Sequence, residues 1–167
     1  MARYAENTTV PIERSQAEIQ GLIQRYGARK FASGYDEDAR LAVIQFEMTG
    51  RRVMFRLSLP NLDDERFAVD ARGRQRSHSA WTNAYDQECR RLWRSLLLVI
   101  KAKLESVESG VESFEEAFLP QIVIPGTGQT YGEYAVPQIA AVYEHGDLPP
   151  MLPGLSNVRA LSSGGRS

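Results

Sequence analysis

Cysteine is nearly absent from this chain: Cys89 is the only one among 167 residues, so no intramolecular disulfide can form and a disulfide-stapled secreted fold is excluded. Histidine is almost as scarce. His78 and His145 stand far apart, and neither has a cysteine, histidine or carboxylate at ligand spacing, which argues against a zinc site and leaves no cofactor to expect. A long hydrophobic run is missing too: the longest, Leu96-Leu97-Leu98-Val99-Ile100, falls well short of the roughly 18 residues that a membrane span needs. The stretch Met1 to Glu6 lacks an apolar segment of the signal-peptide kind, so the expected setting is cytoplasmic and away from membranes.

Catalytic signatures are lacking as well. Ser33, Ser58 and Ser79 have no G-x-S-x-G context. In Gly126-Thr127-Gly128-Gln129-Thr130-Tyr131-Gly132 the third glycine comes one residue late for a dinucleotide-binding loop, and no Gly-Lys-Ser/Thr follows for a P-loop, so it reads as a strand-turn-helix connection. Two carboxylate clusters, Asp36-Glu37-Asp38 and Asp63-Asp64-Glu65, would serve a two-metal nuclease only if they converged in space; each lies in an expected turn, where solvated acids are normal. No enzymatic activity is expected.

What is present is an ordinary globular composition, 43% hydrophobic and 25% charged, at a length that suits one domain. The strongest pattern runs from Ala80 to Gly110 and predicts one long helix. Trp81, Tyr85, Cys89, Leu92, Trp93, Leu96, Ile100, Leu104 and Val107 share one side at helical period, with Lys103 intruding. Arg90, Arg91, Arg94 and Lys101 fall on the other side beside Leu98, and Gly110 supplies the left-handed stop.

Ser15 and Glu18 form a capping-box pattern ahead of Ile19, Leu22, Ile23 and Tyr26, which predicts a first helix ending at Gly27. A short strand is expected at Lys30 to Ser33. Residues 40–48 and 51–59 alternate about a Thr49-Gly50 turn and predict a β-hairpin. Its apolar face carries Ile44, Phe46, Met48, Val53, Phe55, Leu57 and Leu59, and its polar face Gln45, Glu47, Arg52 and Arg56. Residues 61–79 read as a loop. Ser113 with Glu116 and Thr130 with Glu133 are further capping boxes, for a short helix ending near Pro120 and a last helix running to about His145; that last helix starts at Thr130 or, given Pro137, later. Gln121 to Ile124 suggests a strand between them. The expected fold is a single α+β domain over residues 1–154, an antiparallel hairpin or three-stranded sheet packed on one long helix with a smaller helical C-terminal part, and a flexible tail over 155–167.

Charge is unevenly distributed. Lys and Arg stand against Asp and Glu at 6 to 7 over residues 1–50, 11 to 6 over 51–101 and 3 to 8 over 102–167. Arg51, Arg52 and Arg56 on the hairpin, Arg72, Arg74 and Arg76 on the loop, and Arg90, Arg91, Arg94 and Lys101 on the helix are therefore candidates for one basic surface binding DNA or RNA, since a guanidinium donates bidentate hydrogen bonds to phosphate. Phe67 and Trp81 are the nearby rings available to stack on bases, although Trp81 also belongs to the apolar stripe. The competing expectation is that these arginines pair with the acidic C-terminal third.

From Trp93 to Gly154 the sequence resembles a group of small uncharacterised proteins of tailed phages and prophages. The likeness lies in Leu96 to Glu105, Val107-Glu108-Ser109-Gly110, Phe114-Glu115, Phe118-Leu119, Ile122-Val123, Thr130, Pro137-Gln138-Ile139, Tyr143 and Pro149-Pro150-Met151-Leu152-Pro153-Gly154. The resemblance implies a phage origin and the cytoplasm of a bacterial host, and it transfers no functional residue. It adds a second expectation beside nucleic-acid binding, namely binding and modulation of a host protein, with Glu105, Glu108, Glu112, Glu115 and Glu116 as an acidic surface and Leu98 as an exposed contact.

Overall fold

The chain was analysed as a computed structural model that describes residues 4–146; the stretch Leu148 to Leu155 and the expected tail lie outside the described residues. In chain order the elements are α1 (Ile12–Arg25), β1 (Arg29–Asp36), β2 (Leu41–Met48), β3 (Arg51–Ser58), α2 (Glu65–Ala68), α3 (His78–Glu108), α4 (Phe114–Phe118) with a 3-10 turn at Leu119–Gln121, and α5 (Tyr131–His145). The fold is α+β, with a three-stranded antiparallel sheet in the order β1-β2-β3.

The hairpin forms where the alternation places it. Thr49 and Gly50 both take positive φ (50° and 73°), the twist that a two-residue connection between right-twisted strands requires, and this sets the register Met48↔Arg51 through Leu41↔Ser58. One face then carries Ala42, Ile44, Phe46, Met48, Val53 and Phe55, all buried. β1 is longer than the expected Lys30–Ser33. A bulge at Lys30 (φ 53°) absorbs one residue between Arg29↔Glu47 and Ala32↔Gln45, and pairing then continues to Asp36↔Leu41.

α1 and α3 cover the apolar face of the sheet. They run parallel, as Glu18 meets Arg94 and, further along both helices, Tyr26 meets Glu105. Ile19, Leu22 and Ile23 from α1 join Trp93, Leu96, Leu97, Ile100 and Leu104 from α3 in one core with the sheet. α3 is capped by the Ser77 side chain and stopped after Glu108, with Gly110 at φ 73°, close to the Ala80–Gly110 helix the pattern predicts. α4 closes the core with aromatic rings. Phe118, fully buried, meets Phe46 and Phe55 edge-on at 6.3 Å and stacks on Phe114 at 4.8 Å. Lys103, which interrupts the apolar arc, is accommodated because its Nζ donates to the Ala117 carbonyl and lies over the Phe118 ring.

Several local expectations are corrected. Ser15 does not cap α1. The helix begins four residues earlier, at Ile12 after Pro11, Ser15 is buried inside it with its hydroxyl directed back to the Pro11 carbonyl, and Glu18 is drawn to Arg94 instead. Residues 61–79 are not a plain loop. Asp64 caps α2, Arg76 donates to the carbonyls of Phe67 and Arg66, and the Trp81 indole N–H donates to the Leu62 carbonyl at 2.7 Å. The segment Gln121 to Ile124 is not an independent strand: Ile122 makes an isolated bridge to Val53, and the Val123 N–H bonds the Arg52 carbonyl at 2.8 Å, extending the sheet by a fragment. The capping boxes at Ser113 and Thr130 are both present, and α5 follows directly on its Thr130 cap with Pro137 inside it.

Candidate functional site

The sheet separates the arginines that the sequence puts forward as one basic surface. Val53 and Phe55 point at the helices, so Arg52 and Arg56 point to the opposite face of β3. There Arg56 binds Glu133 at 2.7 Å, which holds the first turn of α5 over that face. Arg51 pairs with Glu115 at 3.3 Å beside the hairpin turn. These two pairs are the expected match between the basic middle and the acidic end of the chain.

The loop arginines lie at the start of α3. Arg74 clasps Asp70 through two nitrogens, at 2.8 and 2.9 Å, and hydrogen bonds from the backbone of Arg74 and Arg72 help hold the Asp70 carboxyl below its ordinary range. Arg76 is bound to backbone carbonyls. At a rise of about 1.5 Å per residue, Arg90 begins about 18 Å further along the helix, so this cluster and the helix cluster are separate places. On the helix, Arg90 donates to Gln87 at 2.9 Å, Arg91 grips Glu88 at 2.7 and 2.8 Å, and Arg94 binds Glu18 at 2.6 Å. Of the ten candidates, Arg52, Arg72, Arg76, Arg90 and Lys101 have no ion pair among the described residues, although Arg76 and Arg90 are held by neutral acceptors.

The rings offered for stacking are committed elsewhere. Phe67 is buried, edge-on to Tyr85 at 5.8 Å, and Trp81 uses its indole N–H to pin the Leu62 loop. The acidic clusters are engaged locally: Asp36, at the end of β1, accepts from the Ala39 N–H, and Asp64 caps α2. No group of His, Cys, Asp and Glu suited to a metal ion occurs among the described residues. Cys89 is buried, and burial pushes its thiol above the ordinary range, the reverse of what a nucleophilic thiolate needs.

Two of the ten candidates, Arg94 and Lys101, come together in a concave site: a groove of about 510 Å³ running between α1 and α3. Its floor is Leu22 and Leu97, its wall includes the exposed Leu98, and Tyr4 stands at its side. Its cations are Arg94, Lys101 and Arg25, the last overlooked in the sequence because its role depends on α1 lying alongside α3. Arg94 is neutralised by Glu18, whose carboxyl is held below its ordinary range first by the hydrogen bond from Arg94. Arg25 and Lys101 have no acidic partner among the described residues.

Gly21 lies in the same groove, in the middle of α1. A glycine inside a helix costs roughly 0.5–1 kcal/mol relative to alanine. Nothing in the fold demands it, since a Cβ built there meets no atom within 4 Å. Gly132 is the contrast: a Cβ there would stand 2.7 Å from the Pro120 carbonyl oxygen, so close packing explains that glycine. At Gly21 the missing side chain leaves the groove open.

No family model matches the chain, and neither the curated proteins nor the solved structures include one similar enough to match it.

Proposed function

We propose that this protein is a non-enzymatic binding module whose α1–α3 groove takes an acidic, amphipathic segment of another protein. The observation that carries this reading is the combination in one concavity of an apolar floor, two cations without internal partners and a glycine that the fold itself does not need. An apolar floor fits aliphatic anchors, and cations at the rim select carboxylates and speed encounter. Read with the resemblance of the C-terminal half to phage proteins, the partner is a protein of the bacterial host, met in its cytoplasm. No helix among the described residues is long and apolar enough to cross a membrane.

Binding of DNA or RNA through the full arginine set draws less support. Phosphate affinity grows with the number of phosphates neutralised together, and here the guanidinium groups are divided among three places and mostly paired. Fluorescence anisotropy separates the two readings, using a labelled helical peptide of alternating leucine and glutamate faces, its lysine counterpart, and single- and double-stranded oligonucleotides. The acidic peptide is expected to bind with a salt-dependent affinity that Arg25→Glu with Lys101→Glu removes. Retention of the oligonucleotides at low salt without binding of the acidic peptide would put the nucleic-acid reading in its place.

A further inference from the structure

A second concavity, independent of the groove, opens where the start of α1, strand β1 and the first half of α3 meet. It has a volume of about 270 Å³. Three aromatic side chains line it, Tyr35 from β1 and Tyr85 and Trp93 from α3, with Asp86 and Gln16 contributing the polar atoms. The rings come from elements far apart in sequence, and β1, which brings Tyr35, is one of the two edge strands of the sheet. Tyr35 leaves 54% of its surface in solvent although it points toward the helical side of the sheet, so its ring is not used up in packing. Trp93 leaves only 2% of its surface in solvent, which makes it the fixed back wall.

Asp86 is half-buried, and its carboxylate has neither a hydrogen bond nor an ion pair among the described residues. Arg90, one turn on, lines the adjoining hollow with Asp86 but directs its guanidinium to Gln87 at 2.9 Å and makes no ion pair with Asp86. A carboxylate partly withdrawn from water without a counter-charge is unfavourable, and a cation is what relieves it. Aromatic faces carry negative potential and attract cations, best of all weakly hydrated ones such as alkylated ammonium groups. Burial pushes the Tyr85 hydroxyl up to about 12, so that ring stays neutral and adds no second negative charge at physiological pH.

We propose that this cleft binds an alkylated ammonium group, held over the faces of Tyr35 and Tyr85 against Trp93, with Asp86 supplying the counter-charge. The volume of this open cleft suits a headgroup of choline size rather than a larger ligand, being at the lower edge of small-molecule sites. The same chemistry comes either from a free small cation or from a trimethylated lysine side chain on a peptide.

The experiment titrates the full chain by NMR, following the aromatic resonances, with choline, tetramethylammonium and a short peptide bearing trimethyl-lysine. Sodium chloride controls for ionic strength, and 3,3-dimethylbutan-1-ol serves as the neutral isostere of choline. Saturable shifts at Tyr35 and Trp93 with the cations and at least about tenfold weaker binding of the neutral alcohol are expected. Tyr35→Ala and Asp86→Asn should each weaken the cations by about fivefold or more, while Tyr35→Phe, which keeps the ring, should retain them. Tighter binding of the peptide identifies a modified protein as the source, and tighter binding of choline a free cation. Equal binding of the alcohol and choline, or no saturable shift up to tens of millimolar cation, overturns the proposal. Unchanged affinity in Tyr35→Ala overturns it as well; that position is exposed, so the variant is expected to fold.

Discussion

Replacing glycine by alanine at two positions tests whether the vacancy in the α1–α3 groove is functional or merely tolerated. At Gly21 the added methyl meets nothing within 4 Å and the backbone is helical, so only the unfolded-state entropy and helix propensity change. Gly21→Ala is therefore expected to stabilise the protein by about 0.5–1 kcal/mol. For a chain of this size that corresponds to a rise of about 1–4 °C in Tm. Gly132→Ala makes the same chemical change with the opposite sign. Its Cβ would sit 2.7 Å from the Pro120 carbonyl oxygen and 3.1 Å from the Pro120 Cβ, so backbone has to move. Overpacking of that kind costs about 1–3 kcal/mol, which outweighs the propensity gained in the first turn of α5. Urea denaturation of the two variants against the parent gives both values from the midpoints if the slopes are unchanged. A loss of stability in Gly21→Ala would mean that α1 packs more closely than the structure has it, and the argument that Gly21 is kept for a ligand would fail. If Gly21→Ala is stabilising, Gly21→Leu becomes the functional test, because its longer side chain fills the groove and should abolish binding of the acidic peptide while leaving the fold intact.

Two further outcomes follow from the core and the ion pairs. Phe118→Ala removes a fully buried ring that touches Phe46, Phe55 and Phe114 and underlies Lys103, and should cost about 3–5 kcal/mol, measurable as a lowered denaturant midpoint; a loss below about 1 kcal/mol would contradict a single core joining α4 to the sheet. Acid should also destabilise the fold. Glu18, Asp70 and Glu116 have their folded pKa values lowered, by the Arg94 hydrogen bond, the Arg74 backbone N–H and the Ser113 backbone N–H respectively. The unfolded chain thus takes up these protons first, and the stability they contribute is present above the ordinary carboxylate range and lost as pH falls through the lowered values. Denaturation midpoints between about pH 7 and pH 3 should fall less steeply in Glu18→Gln than in the parent; equal slopes would show that the Glu18–Arg94 pair is not formed in solution.

The elements that were legible in the sequence are those whose signals are local. Thr49-Gly50 between alternating strands, Ser113 with Glu116, Thr130 with Glu133, and the apolar arc ended by Gly110 each carry their cause within a few residues, and each forms as expected. Local signals also misled. Ser15 with Glu18 matches a capping box as well as the other two do, but Glu18 lies beside Arg94 in three dimensions, and the pair outcompetes the cap. The loop at 61–79 reads as polar and unstructured because the contacts that order it, Arg76 to the Phe67 carbonyl and Trp81 to the Leu62 carbonyl, join its ends to a helix rather than to each other.

The candidate site was legible only in fragments. Arg94 and Lys101 stand out on the basic side of α3, but Gly21 and Arg25 gain a role only when α1 comes to lie parallel to that helix. The sequence by itself determined that the fold is α+β, with a long amphipathic helix and a tight hairpin, because hydrophobic period and turn chemistry are properties of neighbouring residues. It did not determine which charges meet. That was decided by the tertiary structure: the two faces of a strand send Arg52 and Arg56 away from α1 and α3, and the pairing of α1 with α3 leaves Arg25 and Lys101 without an ion pair among the described residues beside an open apolar floor.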